Sequence, residues 1–408
     1  MLDLFAIIVS ISAVFGFINH KYLKLPTTIG VMLISVLIGV LFKIAGAIQD
    51  DFMSPMNHFL QDFDFSSFVL DFVLCFLLFA GSLHVNFVQL RGARGSIISY
   101  ATIGVLISTL LIGTVTYYVV QLFGYDISFI VCLLFGALIS PTDPIAVIGI
   151  LSKYNVPQKL KTEIIGESLF NDGVGVVVFT VIYSLYTGGE ESFTVGNVLK
   201  VFSIEVIGGI FIGFTIGYIG YRLMKAIDHY QTEILITLAV VTGGWSIANL
   251  IHASGPLAMV VAGILIGNKG KKHAMSDITA EYVDKFWELI DEICNTILFV
   301  LIGFEIFFVS FELKYLAIGA VLIVVALVSR YISLLPAFFI FNHRENKKSL
   351  NLGILTWGGL RGGISIALAL SMLNKVDGGS LFLVCTYCIV LFSIVVQGLS
   401  IKKLLARY

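Results

Sequence analysis

Charge is what this 408-residue chain has least of. Asp, Glu, Lys and Arg together make up 12% of it, against 58% hydrophobic residues. Soluble domains carry about 25% charged residues, so a water-facing globular protein is excluded. With a net charge of only -1, neither nucleic acid nor an acidic partner is suggested. Cysteine is scarce and odd in number: Cys75, Cys132, Cys294, Cys385 and Cys388 all fall in apolar runs, which argues against a disulfide framework. Cys385 and Cys388 do form a C-x-x-C, but it has no nearby His or strand signal, so packing is expected there rather than redox or metal chemistry. A basic leader with a cleavage site is missing too, and Met-Leu-Asp runs straight into an apolar segment; a retained first span is expected, with no soluble domain attached.

What the chain has instead is hydrophobic length. Crossing a bilayer takes about 20 apolar residues, and thirteen segments reach or approach this: 3–19, 27–48, 67–90, 96–123, 127–152, 160–187, 196–224, 231–252, 254–268, 286–309, 314–341, 350–373 and 378–403. The expected fold class is therefore an all-α polytopic membrane protein with thirteen transmembrane helices. Of the 25 Lys and Arg residues, 19 fall in one set of alternate loops, while Asp50, Asp51, Asp62, Asp64, Asp126, Glu190, Glu191 and Glu312 gather in the other. By the positive-inside bias the N-terminus is outside and the C-terminus cytoplasmic. The 269–285 loop reads as a short cytoplasmic connector or an amphipathic helix.

An odd count has a consequence. If segments 1–6 and 8–13 are two halves joined by segment 7, they run with opposite topology, as in inverted-repeat transporters. Segments 5 and 12 then correspond, and both are interrupted by helix breakers: Ser140-Pro141-Thr142-Asp143-Pro144 in one, Gly358-Gly359-Leu360-Arg361-Gly362-Gly363 in the other. A matched pair of broken segments is a sequence-level pointer to a substrate site.

The polar groups inside these runs are few. Segment 6 carries Gly166-Glu167-Ser168-Leu169-Phe170-Asn171-Asp172-Gly173. A charged side chain at the bilayer centre costs roughly 2.5 to 3.5 kcal/mol, so an acid there marks function by default. At helical spacing Ser168 and Asp172 share one face, and Glu167 and Asn171 the adjacent one. A carboxylate partly withdrawn from water holds either a proton or a cation but not both well, which makes Asp172 the candidate exchanging group. In segment 5 the prolines free carbonyls near Ala137 and Ser140; with the Thr142 backbone and the Asp143 carboxylate they form an oxygen cluster suited to a small cation, although Asp143 can also cap the following half-helix. Arg330 and Arg361 need compensation, and Glu167 is the natural partner of Arg330. Arg361 is expected to neutralise half-helix ends or set the field at the crossing. Glu205, with Lys200 nearby, is assigned a local or interfacial role, and His84 and His252 an interfacial one.

At these residues the chain resembles a monovalent cation/proton antiporter of the bacterial NhaP and sodium/proton exchanger type. The resemblance rests on Pro141-Thr142-Asp143-Pro144, on Gly166 through Asp172, on Trp287 through Glu305 with Asn295, on Arg330 and on Gly358 through Gly362. It implies a transporter, not an enzyme, with no cofactor. It implies Na+ or Li+ exchanged for H+ in the cell membrane by a homodimer, with K+ as the alternative ion. It implies ion or proton binding at Asp172, helped by Ser168, Asp143 and Thr142, with Glu167 bridged to Arg330. It also implies a core domain (about 67–187 and 286–403) moving against dimerisation helices (about 1–48 and 196–268). Asn171 stands where electrogenic relatives have a second Asp, which resembles the electroneutral members. Ala80 stands where some archaeal relatives have a Glu that joins the site through water. Two other classes compete weakly. An intramembrane aspartyl protease needs Tyr-Asp and Gly-x-Gly-Asp contexts that Asp143 and Asp172 lack, and a passive cation channel would conduct without a proton.

Overall fold

In a medium without water every backbone N–H and C=O must find its partner within the protein, and a helix does this inside each segment. The computed structural model describes residues 2–48, 65–143, 151, 154, 156–188, 194–304, 312–341 and 348–407. Among these residues there is no β-strand, only one isolated bridge between Asp143 and Leu360. The helices are α1 (Leu2–Ile18), α2 (Thr27–Ile48), α3 (Phe65–Leu83), α4 (Phe87–Leu122), α5 (Phe129–Ile139), α6 (Gln158–Gly188) and α7 (Gly196–Met224). They continue as α8 (Tyr230–Leu250), α9 (Gly255–Leu265), α10 (Asp277–Phe304), α11 (Leu313–Phe341), α12 (Lys348–Trp357), α13 (Gly363–Met372) and α14 (Gly379–Leu405). Nine of them among the described residues, namely α1–α4, α6–α8, α11 and α14, are long and apolar enough to cross a membrane. Pro144, the residues 145–150 and 152 of segment 5, and Glu305 lie outside the described residues, as do the acidic loop positions Asp50, Asp51, Asp62, Asp64, Glu190 and Glu191.

Local signals explain the boundaries. Helix α4 starts at Phe87, nine residues before the expected 96, because the Asn86 side chain accepts from the N–H groups of Val88 and Gln89 and caps a polar first turn. Between α8 and α9 the chain turns through His252 at φ 55°, then restarts with the Ser254 hydroxyl accepting from the Leu257 N–H and Pro256 in the first turn. The 269–285 connector is short because its second half is already helical: α10 begins at Asp277 and runs unbroken to Phe304.

Packing sorts the helices into two bodies. Helices α1, α2, α3, α7, α8, α9 and α10 contact one another, chiefly α7 on α9, α9 on α3, and α10 on both α2 and α3. Helices α4, α5, α6, α11, α12, α13 and α14 form the other body around α4 on α5 and α11 on α14. Between the bodies α6 touches α9, α7 and α3, and α13 touches α3 and α10.

The first body is closed by small residues. Gly209, Gly213 and Gly217, four apart on one face of α7, meet Ser254, Ala258 and Ala262, four apart on α9. A Cβ on Gly217 would lie 2.9 Å from the Ala262 Cα, so the backbones touch only because these positions carry no side chain. Fully buried Trp287 of α10 packs on Phe79 of α3 and donates its indole N–H to the Thr237 hydroxyl of α8 at 2.9 Å.

Candidate functional site

The second body holds the breaks. Helix α5 makes its last helical bond from the Ser140 N–H to the Gly136 carbonyl, and Pro141 has no N–H to continue the ladder. The chain then leaves the helix and meets the break between α12 and α13: the Asp143 N–H donates to the Leu360 carbonyl at 2.8 Å, the one bridge noted above. The two breaks therefore cross at Asp143 and Leu360. Helix α6 can lie against this crossing because Gly175 faces the Pro141 ring, where a Cβ would overlap it.

Arg361 sits buried in the crossing, 3% exposed. Its Nη1 donates to the Ser140 carbonyl at 2.6 Å and to the Pro141 carbonyl at 2.8 Å. Its own N–H donates to the Ser393 hydroxyl at 2.8 Å. A guanidinium thus answers the carbonyl end of α5, where a helix C-terminus favours a cation. One consequence departs from the sequence reading: the Ser140 carbonyl, expected to remain free for an ion, is taken by Arg361.

The polar residues of α6 divide by face. Glu167 and Arg330 of α11 form a two-pronged ion pair, with Nη1 on Oε1 and Nη2 on Oε2 at 2.8 Å; Nη2 also donates to the Leu355 carbonyl at 3.2 Å. Both residues are buried. Asn171 clamps Thr142: its Nδ2 donates to the Thr142 hydroxyl at 2.8 Å, and its Oδ1 accepts from the Thr142 N–H at 3.4 Å. Ser168 donates its hydroxyl to the Thr142 carbonyl. Glu167 and Asn171 are therefore occupied in holding neighbouring elements, whereas Ser168 and Asp172 reach a cavity.

That cavity has a volume of about 270 Å³. Its polar wall is Thr142 and Asp143 from the break after α5, Ser168 and Asp172 from α6, Ser365 from α13 and Asp291 from α10. The remainder is apolar, including Leu74, Leu77, Leu78 and Gly81 of α3. Asp172 is buried, 8% exposed, and Asp143 half-buried. Two or more carboxylates facing one small, mostly apolar space can hold a proton or a monovalent cation; no group of three His, Cys, Asp or Glu among the described residues could hold a metal cofactor.

The structure thus brings Asp143, Thr142, Ser168 and Asp172 to one cavity and sets Asn171, Glu167, Arg330 and Arg361 around it as supports. Ala80 is fully buried and is not on the cavity wall. Asp291 was missed by sequence reasoning, although an acid five residues into the apolar run that starts at 286 was a signal that could have found it. Glu205 is half-buried on α7, away from the wall.

Comparison with known proteins adds an independent line. Residues 8–407 match the family described as "Sodium/hydrogen exchanger, transmembrane". The chain is 45% identical to the Na(+)/H(+) antiporter NhaP of Pseudomonas aeruginosa, covering 100% of this chain and 97% of that one. It is 33% identical to the Na(+)/H(+) antiporter NhaH of Halobacillus dabanensis, over 100% of this chain and 96% of that one. Among solved structures, the sodium proton antiporter MjNhaP1 of Methanocaldococcus jannaschii at pH 8 superposes with a TM-score of 0.77 at 19% identity, over 98% of this chain and 97% of that one, a likeness of fold.

Proposed function

The chain belongs to the sodium/hydrogen exchanger family, and from that premise we propose that it exchanges Na+ or Li+ for H+ across the cell membrane, with cation and proton competing for Asp172. The observation that carries this reading is the convergence of Asp172, Asp143, Ser168 and the Thr142 backbone on one cavity at the crossing of two broken segments. A cation entering the cavity displaces the proton from Asp172, and a proton displaces the cation. Exchange becomes obligatory when the body carrying the site moves only with one of them bound.

The charge balance favours one cation for one proton. Glu167 is neutralised by Arg330, and Arg361 faces the end of α5. Asn171 brings no second carboxylate. The site then carries the same charge in both loaded states, so the cycle avoids the cost of about 2.3 kcal/mol per charge per 100 mV.

We assign the crossings as thirteen, as the hydrophobic lengths in the sequence suggest, with α12 and α13 forming one broken span. The N-terminus lies outside and the C-terminus inside, and a homodimer forms through the first body. The packing supports a division in which α3 and α10 travel with the scaffold helices, rather than the core of 67–187 and 286–403 read from the sequence. Helices α4–α6 and α11–α14 are then the moving body, and the two halves related by inverted topology share it.

The test is made in proteoliposomes with an inward-acid pH gradient, a lumenal pH dye and the potential clamped by K+ and valinomycin. Lumenal alkalinisation on Na+ or Li+ addition, absent in Asp172→Asn and independent of the clamped voltage, is expected. Equal or faster exchange of K+ in a matched assay would reassign the ion. Cation flux without proton movement would replace the antiporter with a channel.

A further inference from the structure

The exchange cycle just proposed, on which this inference rests, leaves one acid of the cavity without a role. Asp143 and Asp172 stand on the body that carries the breaks, but Asp291 reaches the same cavity from α10, whose packing partners α2, α3 and α8 belong to the other body. Of the wall residues that this body supplies, Leu74, Leu77, Leu78, Gly81 and Leu298 are apolar, and Asp291 alone carries an ionisable group.

Among the described residues no ion pair includes Asp291. Asn295 follows one turn further on, and the flanking Glu288 and Glu292 are acids as well. The nearest lysine in sequence, Lys285, pairs with Glu281 at 2.6 Å. An unneutralised carboxylate on an apolar wall attracts any cation in the space it faces.

Its height in the cavity matters as much as its charge. Helix α10 starts beside the basic loop of Lys269, Lys271 and Lys272, and Asp291 lies two turns nearer that end than Leu298, which lines the deeper wall. On α6, Ile165 marks the same end, two turns before Asp172. Asp291 therefore stands between the basic-loop face and the Asp172 site, on a helix that stays behind when the site moves.

We propose that Asp291 is a cation-attracting residue fixed to the scaffold, which raises cation affinity only while the site is open to the basic-loop face. Once the moving body has carried the ion toward the opposite face, Asp291 no longer faces it, and the affinity there is set by Asp172, Asp143, Ser168 and Thr142 alone. The exchanger is thereby asymmetric: it loads cations at lower concentration from one side than from the other.

The experiment compares everted and right-side-out membrane vesicles, so that Na+ is presented to one face at a time, and reads initial rates of Na+-driven proton movement. For Asp291→Asn the apparent KM for Na+ at the basic-loop face rises about tenfold, the effect of one carboxylate on a cation about 12 Å away at an effective dielectric of about 20. The KM at the opposite face and the maximal rate stay within about twofold. Asp291→Ser, included in case the amide disturbs folding, shows the same one-sided shift, and Asp291→Glu returns the KM to within about threefold of the parent. An unchanged KM at both faces, or an equal rise at both, overturns the proposal. Asp172→Asn in the same vesicles separates the two levels of argument. If it keeps exchanging, the underlying reading fails; if it is silent while Asp291→Asn behaves as the parent, only the asymmetry fails.

Discussion

The seam between α7 and α9 and the crossing of the two breaks are both tightly closed, but by opposite means. At the seam Gly209, Gly213 and Gly217 meet Ser254, Ala258 and Ala262, and what holds them is close van der Waals contact between backbones. The crossing is tied by charges and hydrogen bonds: Arg361 on two carbonyls, Arg330 on Glu167, Asn171 and Ser168 on Thr142. A seam of shape stays rigid and is indifferent to ions. A crossing of charges can register the arrival of one more charge, which an exchanging site requires. The difference teaches that the scaffold is specified by what its residues lack, and the site by what each polar residue is given to hold.

Substitutions sharpen that contrast, beginning with the largest expected effect. Asp172→Asn removes the carboxylate proposed to exchange while leaving a side chain of the same size, so exchange in proteoliposomes falls by about a hundredfold or more, whereas the thermal midpoint stays within a few degrees. Loss of exchange together with loss of folding would assign Asp172 to structure instead. Next come the supports. Arg330→Ala leaves Glu167 buried and unpaired, at a cost of about 3 to 5 kcal/mol. Glu167→Ala strands the guanidinium in the same way, and the double variant loses clearly less than the sum. Additive losses in thermal unfolding would show that the two do not act as a pair.

Across the seam the effect is smaller and of another kind. Gly213→Val places a branched side chain against the Ala258 backbone and costs about 1 to 3 kcal/mol by overpacking. Its KM for Na+ is expected to be unchanged, because the seam touches no wall of the cavity. A shifted KM would mean that the seam does feel the ion.

The smallest effect lies at the end of α3. The His84 imidazole, outside the span, is held below its usual range by burial and then by the Lys271 charge, opposed by Asp284 and Glu288. The folded protein therefore takes up this proton less readily than the unfolded chain. Stability is highest where His84 is neutral in both states, falls as pH drops through about 6.5, the unfolded value, and levels off below the folded value. Since His84 is 40% exposed, salt weakens the effect. His84→Gln flattens the loss of thermal midpoint below pH 6.5 by about a degree, and an unchanged pH slope would remove His84 from that dependence.

Much of the site was legible in one dimension because helical spacing is local. Four residues make about one turn, so Ser168 with Asp172, and Glu167 with Asn171, could be placed on adjacent faces without any knowledge of their neighbours. Pro141 likewise ends α5 by its missing N–H, a local signal, although Pro336 sits inside α11 without ending it. Arg361 shows the limit: its partners Ser140 and Pro141 are 221 and 220 residues away in sequence, and no local rule connects them. Asp291 shows another, since whether an acid in an amphipathic helix faces lipid, water or an ion depends on which neighbour covers it.

The sequence by itself determined that this chain is a bundle of apolar helices with two interrupted segments and a few isolated charges, because hydrophobic length, helix breakers and the cost of charge in a bilayer all act within a turn or two of the residue concerned. Only the tertiary structure decided that α3 and α10 pack with the scaffold, that Arg361 rather than an ion occupies the freed carbonyls at the end of α5, and that Asp291 joins the cavity. Each of these depends on which helices lie side by side, and that is settled by contacts between residues far apart along the chain.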